Sequence, residues 1–421
     1  VILLPRFARR LVLGLTITLL GLYIALAGLT IRQRGGPLAY VVAGDLISNL
    51  SGARILVTGH PQQLYDRAAQ AAAQDAILHT GNLGLLRVLP FVHLPLEPLA
   101  LAPLLAAQVP YEWIFAAWTL GGLGLLALSM WQLAQGWSAP AGTSRLLALT
   151  AISFFPIFAT LLLGQSSLLL LFSWAATSVA LRRGHDGQAG MALALAAIKP
   201  HTILVPVLVL LIMRRWRALA TLAATLGVFT VALMPLLGVD WPLRYLQLAL
   251  SVGGYPSDPT LVPSSMENWR GQVVRLLGDS PTANVLALGL SALSLLGVAW
   301  IWLKPRPGGT TWQPASPDWS RRWAFSLLAQ QLITPYLLLH DLTLALVPGW
   351  ILASLAFAAG DRRAVGWLWL GWGTTLLALT ASGWPLAPTG LWLVLTCSAL
   401  AWRLVARHTR PGAAAAGMDT P

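Results

Sequence analysis

Asp45 is the first acid in the chain. It opens the stretch VVAGDLISNLSGARILVTGHPQQLYD, a polar interruption that follows an apolar N-terminal segment almost at once. A carboxylate held at a membrane boundary can serve as the general base that activates a hydroxyl. The same residue, placed after Gly44 and before a helical apolar face, also reads as an ordinary helix N-cap. Lys199 is the second candidate. It lies inside ALALAAIKPHTILVPVLV, and only it and Lys304 among the 27 basic side chains are lysines, so a generic positive charge in this sequence is written as arginine. An ammonium in an apolar run is costly unless paired, and a lipid phosphate is a natural partner for its point charge. The alternative is a lysine that snorkels from a span end. Pro200 removes a helical hydrogen bond and can open the backbone there.

The remaining candidates are weaker one by one. Gln165 in LLLGQSSLLLL can bond a ligand, or it can close a tight turn between helices. In QQLITPYLLLHDLTLALVPGW, His340 can donate to a phosphate oxygen or move a proton, while Asp341 reads first as the N-cap of the next span. In SSMENWRGQVVRLLG, Asn268, Arg270 and Arg275 are candidates for sugar or phosphate contacts. His93 and Glu97 stand at i, i+4 on one helix face, two potential metal ligands without a third. No phosphate-cradling glycine loop is present, so no nucleotide cofactor is expected, and no metal either.

Elements that position these residues follow from composition. The chain has 421 residues, of which 57% are hydrophobic and only 10% charged, and its mean hydropathy is +0.70. Soluble domains carry about 25% charged residues, so the expectation is an all-α polytopic membrane protein embedded in a lipid bilayer. The net charge of +13 sits mostly in short loops between apolar runs, which is the positive-inside pattern and not a nucleic-acid footprint. One cysteine, Cys397, excludes an internal disulfide and a cysteine-based metal site. Twenty tryptophans, many near span ends, suit interfacial anchors.

Apolar runs long enough to cross a bilayer begin at about 11–31 and continue at roughly 94–108, 111–133, 146–163, 166–182, 190–213, 217–238, 284–303, 323–339, 342–360, 364–382 and 386–405. About twelve spans are expected. Arg6, Arg9 and Arg10 precede the first, and Arg403, Arg407 and Arg410 follow the last, which predicts both termini in the cytoplasm. The first run reads as a retained anchor, not a cleaved leader. Two long loops, about 32–92 and about 239–281, then face outward together with the His340–Asp341 turn. The middle leaves two readings. Either 190–213 crosses once and Arg182 and Arg183 face outward, or Lys199-Pro200 breaks that run, the arginines turn inward and 94–108 does not cross. Leu46, Leu50, Ala53 and Val57 recur on one helix face within the first outer loop. This predicts a short helix in the interface plane, and Asp66 predicts the cap of a second. Residues 1–410 form a single domain in this reading, and 411–421 a low-complexity, disordered tail.

In order along the chain come Asp45, LYD at 64–66, a proline-broken apolar segment at 90–103, GQ at 164–165, LALAAIKP at 193–200 with RRWR beyond it, NWRGQVVRLLG at 268–278 and TPYLLLHDLTLALVP at 334–348. This ordered set resembles the GT-C membrane glycosyltransferases, and most closely glycosyltransferase family 87, the polyprenyl-phosphate-mannose-dependent mannosyltransferases and their relatives. Where that family often carries an aromatic residue and two prolines at its second span, this chain reads FVHLPLEPLA. The resemblance implies a GT-C-like bundle at the bacterial plasma membrane with its site on the extracytoplasmic face. It implies an inverting, single-displacement transfer of a sugar from a polyprenyl-phosphate donor to a glycolipid or glycan acceptor. Asp45 would be the base, with Lys199 and His340 beside the donor phosphate. Two other classes remain open, a polytopic transporter or lipid flippase and an inert envelope scaffold. The first usually shows repeats and mid-membrane ion relays, which this sequence lacks.

Overall fold

The computed structural model describes residues 6–32, 44–78, 89–137, 143–251, 263–304 and 313–375, with 396 and 399 isolated. The expected span at 386–405, Cys397 and the tail at 411–421 lie almost wholly outside the described residues, as does 252–262 of the expected second outer loop. Within them the chain forms seventeen α-helices and no strand. Helices Tyr111–Gly136, Trp216–Leu237 and Pro281–Leu303, and the continuous run Leu339–Ala358, are long and apolar enough to cross a membrane. The pair Leu146–Ile152 and Phe155–Leu163, bent by 47°, makes a fifth if counted as one span. Of the other expected spans, 11–31 lies within the unbroken helix Arg6–Arg32, 94–108, 166–182 and 323–339 are represented by shorter helices, and 190–213 is broken.

Helix α1 is Arg6–Arg32, and three helices follow it: α2, Gly44–Val57; α3, Arg67–Leu78; and α4, Leu96–Ala106. Helix α3 starts where Asp66 Oδ1 accepts a hydrogen bond from Ala69 N at 2.7 Å, the expected N-cap. Helix α2 departs from its expected one-sided burial. Leu46, Leu50 and Ala53 are fully buried, but Ser48, Asn49 and Ser51 on the polar faces are buried too, while Val57 is exposed. The cause is tertiary. Helices α3 and α4 both pack on α2, so it is enclosed within a three-helix unit. At eleven residues, α4 spans roughly 17 Å at 1.5 Å per residue, too short for a hydrocarbon core of about 30 Å.

Helices α5 (Tyr111–Gly136), α6 (Thr143–Ile152), α7 (Phe155–Leu163) and α8 (Ser167–Arg182) come next. The expected single span at 190–213 is instead broken into α9 (Asp186–Ala196), a 3-10 turn at Pro200–Ile203 and α10 (Leu204–Ile212). Asp186 and Arg215, at the two ends of this run, meet at 3.5 Å, so the chain doubles back at Lys199-Pro200. Buried polar side chains satisfy the backbone freed there, as an apolar surrounding requires. Thr202 Oγ1 donates to Ala196 O and Lys199 O. Gln330 donates to His201 O and accepts from Val205 N, both at 2.7 Å.

The chain continues through α11 (Trp216–Leu237), α12 (Trp241–Ser251), α13 (Trp269–Leu277), α14 (Pro281–Leu303), α15 (Pro317–Ile333), α16 (Leu346–Ala358) and α17 (Arg362–Thr374). At Gly190 an added Cβ would lie 2.1 Å from Ala218 O, so only glycine permits this close packing of α9 on α11. Helix α15 is buried along nearly its whole length and ends earlier than the 323–339 run implies, because Thr334-Pro335 stops it. The arginines gather at one end of the bundle. Arg182 donates to Ser320 at 2.8 Å and lies over Trp137, and Arg322 pairs with Asp318. Lys199, Gln165 and the His340 turn lie at the opposite ends of α8, α9 and α15. The break at Lys199-Pro200 is the feature that the second of the two sequence readings for the middle of the chain requires.

Candidate active site

The cavity end holds a space of ≈ 320 Å³ whose lining includes Asp45, His93, Gln165, Lys199, His340 and Asp341. Five stretches of the sequence deliver them: the start of α2, the segment before α4, the turn between α7 and α8, the doubled-back turn at Lys199, and the 3-10 turn Leu339–Ala345 that precedes α16.

The Lys199 side of the cavity is a closed network. Lys199 Nζ donates to Asp341 Oδ1 at 2.8 Å and to Gln165 Oε1 at 3.2 Å. Ser167 Oγ donates to the same Asp341 oxygen at 2.9 Å, and His340 Nε2 lies 3.5 Å from the other. Lys199 and Asp341 are only 4% and 7% exposed at their side chains. To the lipid phosphate and the snorkelling path that the sequence offered for Lys199, the fold adds a buried carboxylate partner. Asp341 is not the N-cap expected of it: Leu338 holds that position, and Asp341, three residues further on, reaches back to the Leu338 backbone N–H at 3.5 Å. Gln165 follows Gly164, whose positive φ of 69° ends α7, so the turn reading and the polar contact coexist. Thr160 ties α7 to the turn, donating to His340 O at 3.0 Å and sharing a hydrogen bond with Thr343 Oγ1.

Asp45 is held differently. It lies in the first turn of α2, where the helix dipole favours a negative charge. Its carboxylate has no hydrogen-bond or ion-pair partner among the described residues, and it lies within electrostatic reach of His340. The N-cap reading fails in detail, since Gly44 already belongs to the helix and Asp45 caps no backbone N–H there.

A clasp built from α3 joins these two sides. Gln70 and Gln74, one turn apart and both buried, each pair through the amide with an extended segment. Gln70 accepts from Phe91 N at 2.9 Å and donates to Phe91 O at 3.2 Å. Gln74 accepts from Leu89 N at 3.1 Å and donates to Leu89 O at 2.7 Å. Two glutamines thus do for residues 89–91 what a neighbouring β-strand would. His93 follows directly, its Nδ1 at 3.1 Å from Glu97 Oε1. These two meet each other and not a third ligand: no group of three or more His, Cys, Asp or Glu placed for a metal occurs among the described residues.

Asn268, Arg270 and Arg275 are not brought to the cavity. Asn268 caps α13, accepting from Gly271 N at 2.8 Å and donating to Thr334 O at 2.7 Å. Arg270 donates to Asn284 at 3.1 Å, and Arg275 lies 3.3 Å from Glu267. Conversely, His201, Tyr245 and Tyr336 line the cavity without having been singled out. His201 stands two residues after Lys199 in the same break, and that adjacency was the available signal. Burial, with Glu97 nearby, pushes the Tyr245 hydroxyl up to about 12, so it stays a neutral phenol.

A helical membrane protein with a charged cavity at one end of its bundle is thereby defined. The chain belongs to glycosyltransferase family 87, whose family model matches residues 90–335, and it is accordingly a glycosyltransferase. The matched segment contains His93, Glu97, Gln165, Lys199, Asn268 and Arg270, and leaves Asp45, His340 and Asp341 outside it. None of the curated proteins and none of the solved structures compared with the chain matches it.

Proposed function

We propose that the protein transfers a sugar, mannose by the family resemblance, from a polyprenyl-phosphate donor to the hydroxyl of a glycolipid or glycan at the extracytoplasmic face of a bacterial plasma membrane. The observation that carries this reading is one cavity with a carboxylate, Asp45, that has no partner among the described residues, and a lysine–histidine–glutamine group around Asp341. Asp45 takes the acceptor proton as the hydroxyl oxygen attacks the anomeric carbon. The bond from that carbon to the phosphate oxygen breaks, and its electron pair leaves with the phosphate. A single displacement of this kind inverts the anomeric configuration. An ammonium has three donors. Two of those on Lys199 go to Asp341 and Gln165, which leaves one for a phosphate oxygen, with His340 beside it. The absence of a nucleotide-binding loop from the sequence agrees with a membrane-borne donor.

The same reading carries the topology. Residues 1–410 form a GT-C-like domain crossing the membrane about twelve times, with both termini cytoplasmic, the arginine end inside and the cavity end outside. Purified protein in nanodiscs, given polyprenyl-phosphate mannose and candidate acceptors, is expected to form an inverted glycosidic product. Transfer from a sugar nucleotide but not from the lipid donor would contradict the donor class. Movement of labelled lipid across liposomes without any glycosidic product would instead favour a flippase.

A further inference from the structure

His93 is held from several directions. Its carbonyl accepts from the Tyr65 hydroxyl at 3.1 Å, and the ring of Phe91 meets its imidazole edge-on at 5.9 Å. The next residue, Leu94, donates its N–H to Ile198 O at 3.2 Å, so the His93 segment is bonded to the turn that carries Lys199. Glu97, 1% exposed at its side chain, fixes the ring through Nδ1 at 3.1 Å. It stands in the first turn of α4, where a carboxylate's charge is favoured. Facing an ionised carboxylate, which only accepts, a neutral imidazole carries its proton on Nδ1 and its lone pair on Nε2, at the opposite ring edge. His93 lines the cavity shared by Asp45 and Lys199.

In a single displacement the transferred sugar lies between the base and the leaving phosphate. From this, and resting on the function proposed above, we infer that His93 is the specificity residue for that sugar. Its Nε2 accepts a hydrogen bond from one sugar hydroxyl, and Glu97 is the positioning residue that keeps the lone pair there. A lone pair suits a hydroxyl and disfavours a phosphate oxygen, so the contact is to the sugar and not to the donor's charge. The arrangement follows the general logic by which the group on one imidazole nitrogen sets the role of the other.

Full-length protein in nanodiscs is tested with polyprenyl-phosphate mannose and its four monodeoxy analogues. His93→Ala is expected to lower kcat/KM about tenfold, the scale of one hydrogen bond. One deoxy analogue is expected to lose a similar factor with the wild type and no more with His93→Ala, whereas the other three lose further in the variant. Glu97→Gln, which preserves shape, is expected to weaken discrimination at that same hydroxyl, and it carries the test if His93→Ala does not fold. Equal losses against every analogue in both variants, or no loss in either, overturn the inference while leaving the transferase reading intact. A wild type that transfers from no polyprenyl-phosphate sugar overturns both.

Discussion

The two walls of the cavity hold their acids in opposite ways. Asp341 accepts from Lys199 and Ser167, lies beside His340, and is almost fully buried. Asp45 lines the same space with no partner for its carboxylate among the described residues. A carboxylate saturated with donors is a poor base, because its lone pairs are already engaged. It serves instead to hold Lys199 in place. A carboxylate left free toward a cavity is the one able to accept a proton. On the function proposed above, partner count, more than identity, separates the acid that organises the site from the acid that would react in it.

This contrast can be broken at several points. The largest effect is expected at Asp45: Asp45→Asn should lower kcat by about 10²–10⁴, the usual contribution of a general base, with thermal stability little changed, as turnover and melting curves would show. Lys199→Ala should act on both function and fold. It strands Asp341 in a buried site, at a cost of about 3–5 kcal/mol, read as a lowered Tm, and it weakens retention of the donor lipid. Replacing both partners, Lys199→Met with Asp341→Leu, should recover most of that stability without recovering transfer. If the double variant is as unstable as the single, the pair is more than a charge holder. Next comes Gln330→Leu, which leaves His201 O and Val205 N unpartnered at the break. About 1–3 kcal/mol is expected for a buried unsatisfied group, measured by thermal shift. The smallest is Asn268→Ala, where losing the cap of α13 should cost about 1 kcal/mol and should affect donor affinity less than Lys199→Ala does.

Part of this arrangement was legible in the sequence for definite physical reasons. A lysine followed by proline in an apolar run marks a break, because the ammonium must be paired and the proline cannot continue the ladder. Asp66 announced its helix by residue type and position alone. The partner of Lys199 was not legible: Asp341 lies 142 residues away, and its position before an apolar run reads equally well as a cap. Gln330, Gln70 and Gln74 were invisible for a different reason. A neutral amide carries no charge signal, and its value appears only once an unpaired backbone segment is folded against it. The burial of α2 on its polar faces was missed because periodicity reports one favoured face and cannot foresee a second helix packed on the other. Asn268 looked like a ligand contact, although Asn followed three residues later by Gly271 is compatible with the cap it forms.

The central claim is that Asp45 acts on the acceptor and Lys199 on the donor. It is tested most directly by incubating the Asp45→Asn protein with polyprenyl-phosphate mannose, measuring bound donor by native mass spectrometry and product by quenched single turnover. Donor retained at the wild-type level with product formation reduced by about 10²-fold or more is the predicted result. Product formed at the wild-type rate, or donor lost together with activity, would contradict it.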